Sequence, residues 1–217
     1  MASRSRDELV GKRFLSVKSA RKLKVEKISE WEWRQGFVRA VSTRDTSNPE
    51  LTVLVEFDDT GWKSREYIKV HHVLQVFLVE HTLSWVEPKT TDTSDRHGEW
   101  PALCFKPVVD KVGLCHHTRR PMEFLSERTL CIVEDEDIIH YREGEENTVR
   151  TIKSCPEIGH LVKAWLDYQE GQKILLNTPA VLLGYRVKVY RTEGTTQWYT
   201  AVIKSYNQAA KVRSVHL

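Results

Sequence analysis

The feature that most constrains this chain is a pattern of short alternating segments that occurs near both ends. Trp33-Arg34-Gln35-Gly36-Phe37-Val38-Arg39-Ala40-Val41 is followed by Leu51-Thr52-Val53-Leu54-Val55-Glu56-Phe57-Asp58-Asp59. Val187-Lys188-Val189-Tyr190 is followed by Gln197-Trp198-Tyr199-Thr200-Ala201-Val202-Ile203. A period of two puts every second side chain on one face, so each segment reads as a half-buried strand. Polar stretches with turn residues, such as Thr46-Ser47-Asn48-Pro49-Glu50 and Asp58-Asp59-Thr60-Gly61, separate them. Strands this short reach a stable core by closing into small barrels.

Around this pattern the chain divides into units. Leu9 to Val17 predicts a first strand and Ser19 to Lys27 a basic loop, with further strands near 36–42, 51–57, 66–70, 74–80 and 83–86. Pro88 to Gly98 is polar and reads as a linker. Trp100-Pro101-Ala102-Leu103-Cys104-Phe105 opens a second unit, with a short helix after Pro121, a strand over Thr129–Val133 and an acidic loop over Glu134–Glu146. A helix near 155–170 is expected from the capping-box spacing of Ser154 and Glu157, with Pro156 suited to its first turn. Ile158, Leu161, Val162, Trp165 and Leu166 form its apolar stripe, and Gly171 can end it. A third unit begins at Gly184, and its strand pattern still runs at Leu217, as expected for an incomplete barrel in a fragment of a longer protein.

The fold class expected is mainly β with a few helices (α+β), built of small SH3-like barrels. Residues 1–88 form a Tudor-like barrel and 89–99 a linker. Residues 100–178 form a PWWP-like unit, because Trp100-Pro101-Ala102 is similar to the P-W-W-P signature, and 179–217 begin a second Tudor-like barrel.

At 40% hydrophobic residues the chain can fill such cores and is not a disordered tail. No apolar run approaches the roughly 18 residues of a membrane helix, and no secretory signal is expected. The four cysteines contain no C-x-x-C pair, so zinc-ribbon spacing is absent, and reduced thiols are the default. Cys115-His116-His117 reads as surface residues rather than a metal site. Enzyme motifs are absent: no Gly-rich phosphate loop, no G-x-S-x-G, no H-E-x-x-H. His97-Gly98-Glu99, with His140 or His160 as a distant partner, is the nearest approach to a two-His-one-carboxylate iron triad. His97 falls in the polar linker, so neither catalytic nor metal residues are expected.

The aromatics and charges point to binding. An aromatic face attracts a methylated ammonium that has lost its hydrogen bonds, and a carboxylate complements its charge. Trp33, Phe57, Trp62 and Tyr67, with Asp58 and Asp59, are the candidate methyl-lysine cage, and Tyr190, Trp198 and Tyr199 hold equivalent places in the third unit. Alternatively these rings simply fill and cover the barrels. Residues 1–44 hold 12 Lys and Arg against 5 Asp and Glu, whereas 45–100 hold 5 against 11 and 181–217 hold 6 against 1. The basic ends suit DNA phosphates, with Lys12, Arg13, Arg21, Lys22, Lys24, Arg186 and Lys188 as candidate contacts.

Taken in order, Glu8-Leu9-Val10-Gly11-Lys12-Arg13-Phe14-Leu15, Arg39-Ala40-Val41-Ser42, Val55-Glu56-Phe57-Asp58-Asp59, Phe77-Leu78-Val79-Glu80, Trp100-Pro101-Ala102-Leu103-Cys104-Phe105-Lys106-Pro107 and Gly184-Tyr185-Arg186-Val187-Lys188-Val189-Tyr190 resemble the N-terminal region of the JmjC histone demethylases related to hairless. The resemblance runs through nearly all of the chain. It implies a large nuclear protein whose C-terminal domain uses Fe(II) and 2-oxoglutarate, preceded by a zinc-binding region, to remove methyl groups from lysine nine of histone H3. No residue of that chemistry maps onto these positions. The expected role of this stretch is docking on a histone tail, nucleosome or DNA, or packing against other domains of the same protein, with no membrane involvement. The rivals are a purely structural scaffold and a non-specific DNA tether.

Overall fold

The computed structural model describes residues 9–43, 45, 47–60, 65–87, 98–191, 197–207 and 212–216. The chain is mainly β and divides into two compact units, Met1–Lys163 and Ala164–Leu217.

The first unit is organised by one antiparallel sheet. Its strands are β1 (Arg13–Lys18), β2 (Arg34–Val41), β3 (Thr52–Phe57), β4 (Arg65–Lys69), β5 (Gln75–Val86), β6 (Trp100–Pro107), β7 (Arg119–Phe124), β8 (Leu130–Glu134) and β9 (Ile139–His140). The spatial order is β4-β3-β2-β1-β5-β6-β7-β8, and β9 also pairs with β5. The two strands expected at 74–80 and 83–86 are therefore one. The N-terminal half of β5 pairs with β1, from Val76↔Val17 to Val79↔Phe14, and its C-terminal half pairs with β6 and β9. The β6 pairing begins at Leu78, overlapping the β1-paired stretch, and its register shifts between Glu80 and Thr82.

Two cores hang on this strand. Phe77 and Val79 join Leu9, Phe14, Val38, Val55 and Phe57 in the first core, while Val86 joins Ala102, Met122 and Phe124 in the second. Burial on both faces explains why 75–80 lacks clean alternation. Gly36 pairs with Phe57, and a Cβ there would lie 2.0 Å from the Glu56 carbonyl oxygen, so β2 and β3 approach closely only because position 36 is bare.

Two local expectations change. The segment after Pro121 is not helical: Arg119–Phe124 is β7, paired with β6 only from Met122 onward, so Pro121 avoids needing an N–H toward that neighbour. The helix expected near 155–170 is α2 (Pro156–Asn177), which runs on past Gly171, and an additional helix, α1 (Glu146–Ser154), precedes it. Cys155 between them is extended at φ −137°, ψ 99°, as the residue before a proline prefers. The Ser154 hydroxyl donates back to the Thr151 carbonyl at 2.9 Å. α1 docks on β5 through Trp85 Nε1, which donates to Thr148 Oγ1 at 3.2 Å. On α2, Ile158 and Val162 are buried, Leu161, Trp165 and Leu166 half-buried, and Gly171 is passed without a break.

In the second unit, β10 (Arg186–Arg191), β11 (Gln197–Asn207) and β12 (Val212–His216) form an antiparallel sheet in that order. Ala201 and Ile203 are its buried residues among those described. Gly184, at φ +84°, turns the chain into β10 and donates to the Ile203 carbonyl at 2.8 Å.

Candidate functional site

The turn after β3 carries Asp58 and Asp59, and each acid holds a different arginine. Arg13, at the start of β1, is buried. Its Nη1 and Nη2 donate to Asp58 at 2.8 and 2.5 Å, its Nε donates to Glu123 Oε2 at 3.1 Å, and its Nη2 also reaches Glu123 Oε1. Burial opposes the charge on this guanidinium, but the hydrogen bonds it donates to Asp58 and Glu123 outweigh it and hold the arginine pKa above its ordinary value. Glu123 belongs to β7, 110 residues away, and also takes Arg128 Nη1 at 3.3 Å. Gln35 Nε2 donates to the Arg128 carbonyl at 2.6 Å, and Gln35 accepts from the Asp58 N–H at 3.0 Å. The strands around the first core and those that follow them are thus joined by a polar network as well as by β5.

This places Arg13 inside the molecule, which corrects its assignment as a DNA contact. Arg13 opens β1, whose first five residues are all buried, and two carboxylates compensate its desolvation.

Arg34, on β2, stands at the rim. Its guanidinium carbon lies 3.4 Å from the centroid of the Phe57 ring. Nε and Nη2 donate to the two oxygens of Asp59 at 3.3 and 3.2 Å, and Nη1 donates to Glu66 at 3.3 Å. The hydrogen bond from Arg34 holds the Asp59 carboxyl below its ordinary range. Phe57 is 2% exposed, with Phe14 edge-on at 5.3 Å and Arg34 over its face.

The other cage candidates are dispersed. Trp33 is half-buried, 5.4 Å from Trp31 between ring centroids, and its Nε1 donates to the Ile28 carbonyl at 3.3 Å. Tyr67 is 76% exposed and pairs with Leu54, so alternation sets it on the sheet face opposite Phe57. Trp62 lies outside the described residues, as do the side chains of Tyr190, Trp198 and Lys188; Tyr199 is half-buried.

Arg21, Lys22 and Lys24 are exposed on the segment after β1, and none has an ion-pair partner among the described residues. Lys12 is half-buried, and Arg186 is exposed in the second unit.

The sequence gives no hint of an open cavity of about 660 Å³ on the second barrel, because its lining is scattered from His81 and Thr82 through Cys104 and Lys106 to Arg120 and His140. Arg120 is tied to Asp135 at 2.7 and 3.0 Å. Burial pushes the Cys104 thiol up, which suppresses the thiolate a nucleophile needs. Trp100 packs against the second core and borders a smaller cavity of about 280 Å³ beside Asn147 and Cys155.

The iron and zinc that the resemblance implies do not fit these residues. No three His, Cys, Asp or Glu side chains converge among the described residues. His97 lies outside them, Glu99 accepts from Asn147 at 3.0 Å, His140 pairs with Ser84 at 3.3 Å, and His160 is exposed on α2.

Comparison with known proteins accords with this architecture. Residues 8–67 match a domain of unknown function, 77–172 the PWWP domain of lysine-specific demethylase 3B, and 174–216 the tudor domain of the same protein. The start of the PWWP match at residue 77 falls inside β5, the strand both cores use. The human probable JmjC domain-containing histone demethylation protein 2C is 39% identical over 218 residues, and human lysine-specific demethylase 3A is 34% identical over 222. The frog lysine-specific demethylase 3A-A is 26% identical over 212. These alignments cover 95–96% of this chain but only 8% of the first relative and 16% and 15% of the other two. The chain thus carries PWWP and tudor domains matching those of lysine-specific demethylase 3B and is homologous along nearly its whole length to the corresponding part of JmjC-type histone lysine demethylases.

Proposed function

We propose that this chain is the non-catalytic, N-terminal chromatin-docking and reader region of a nuclear histone lysine demethylase. In this reading residues 1–88 form a Tudor-like barrel, 100–178 a PWWP-like unit and 179–217 the start of a second Tudor-like barrel. The parent enzyme, with Fe(II), 2-oxoglutarate and zinc bound elsewhere, removes lysine-nine methylation from histone H3 and so relieves repression. The observation that carries the docking role is the exposed group Arg21, Lys22 and Lys24, cations without acidic partners among the described residues, on a body stiffened by the buried Arg13 network. Lys12, Arg186 and Lys188 are the further cations this reading places near DNA.

Titration of the chain with mononucleosomes and with free duplex DNA at two salt concentrations tests it. Three phosphate contacts predict roughly 40-fold weaker binding for a fourfold rise in salt, with little sequence preference. Reversing Arg21, Lys22 and Lys24 to Glu abolishes most of that slope. Salt-independent binding, or no binding to nucleosomes, leaves the scaffold reading, which the internal occupation of Phe57 by Arg34 favours.

A further inference from the structure

The acids and the ring around Arg34 match a planar, hydrogen-bonding cation rather than a methylated ammonium. Asp59 receives two adjacent N–H groups of one guanidinium edge, Glu66 receives a third from Nη1, and Phe57 supplies a flat face at 3.4 Å. A carboxylate fork opposite a guanidinium edge is geometrically specific, because both partners are planar and the bonds run in parallel. A trimethylammonium donates no hydrogen bonds, and its binding depends on several aromatic walls. Among the described residues this seat has one, since Trp33 is committed to Trp31 and Ile28 while Tyr67 is on the other sheet face.

Arg34 is also held less tightly than a structural arginine. Its bonds of 3.2–3.3 Å are at the long end of the hydrogen-bond range, and its side chain and those of Asp59 and Glu66 are 39%, 59% and 51% exposed. Arg13, in contrast, is bound at 2.5–2.8 Å to Asp58 and is 4% exposed. Water reaches both acids that hold Arg34, so an equivalent group can replace it without stranding a buried charge.

We propose that Phe57, Asp59 and Glu66 form a guanidinium-recognition site on the first barrel, occupied in the free chain by Arg34 and open to exchange with an arginine side chain of a protein partner. That the partner is a chromatin protein rests on the docking reading above; the seat itself does not. Arg34 acts as a tethered competitor, so a partner arginine binds only when its neighbours add contacts of their own.

The test uses methylguanidinium and tetramethylammonium as probes, with the aromatic resonances of Phe57 as the readout. Arg34→Ala is expected to take methylguanidinium about tenfold more tightly than the parent, and adding Asp59→Asn is expected to remove that gain. Tetramethylammonium is expected to bind no better to Arg34→Ala than to the parent. Should the alanine variant unfold, Arg34→Gln, which keeps a planar amide over the ring, carries the same comparison. Equal methylguanidinium binding by parent and variants overturns the proposal, and so does tighter binding of tetramethylammonium than of methylguanidinium. Lost nucleosome binding with the methylguanidinium pattern intact refutes the docking reading alone; the converse refutes the seat alone.

Discussion

Asp58 and Asp59 are neighbours on one turn, yet the arginines they hold live in different solvents. Arg13 is enclosed between Asp58 and Glu123, with its own N–H donating to Glu80 at 3.1 Å. Arg34 lies on β2 between Asp59 and Glu66, half in water. The same pair of residue types therefore serves two ends. Inside, the charges cannot be separated without leaving one unpaired in a low-dielectric interior, so the network fixes how the barrels join. At the rim the pair is screened and replaceable, which suits recognition.

The largest effect is expected where the buried network is broken. Arg13→Ala leaves Glu123, which is 0% exposed, with the Arg128 contact at 3.3 Å in place of a buried guanidinium, and should cost about 3 kcal/mol in urea unfolding. A cost no larger than that of Arg34→Ala would erase the distinction between the two sites. Gly36→Ala comes next. Its new Cβ meets the Glu56 carbonyl, and a forced shift of β2 against β3 should cost about 1–3 kcal/mol, disturbing the Phe57 seat as well. A variant with parental stability and parental Phe57 resonances would show that the strands give way freely.

A smaller effect is expected from acid. Burial opposes the Glu56 charge, but hydrogen bonds from Arg39 and Arg65 hold this carboxyl below its ordinary value of 4.5. Asp59 is held below 3.8 by Arg34. A lowered folded pKa means the stabilisation is complete above the unfolded value and lost as pH falls through the folded one. Unfolding free energy should therefore stay level from neutrality to about pH 4.5 and then decline. Rising stability in that acid range would contradict the assigned ion pairs. The smallest effect is Arg34→Ala itself, at most about 1 kcal/mol, because its ion pairs are exposed. Its difference from the parent should shrink in acid as Asp59 protonates, which is measurable by repeating the urea titration at each pH.

The strands were legible where alternation met a one-sided core. Thr52–Phe57 alternates half-buried and buried residues throughout, and β3 falls within one residue of the expected 51–57. The helix was legible in its apolar stripe but not in its start. Pro156 suits a first turn, and it also forces Cys155 to be extended, so α1 ends where a single helix was expected to begin. Within the site, Asp59 and Phe57 were both marked by composition beside a turn. Arg34, two residues before Gly36 on the neighbouring strand, carried no signal of its own, because only cross-strand register brings it over the ring.

Periodicity is a local property, so the sequence by itself determined that this chain would be a series of short strands around small cores, and the order of its motifs identified the family. Which charges are buried is not local. Arg13 and Glu123 meet only after β5 has carried the chain from one core to the next, and nothing in either residue's neighbourhood distinguishes Arg13 from the exposed cations that follow it. The tertiary structure decided that, because desolvation and pairing depend on what folds against a side chain rather than on what precedes it.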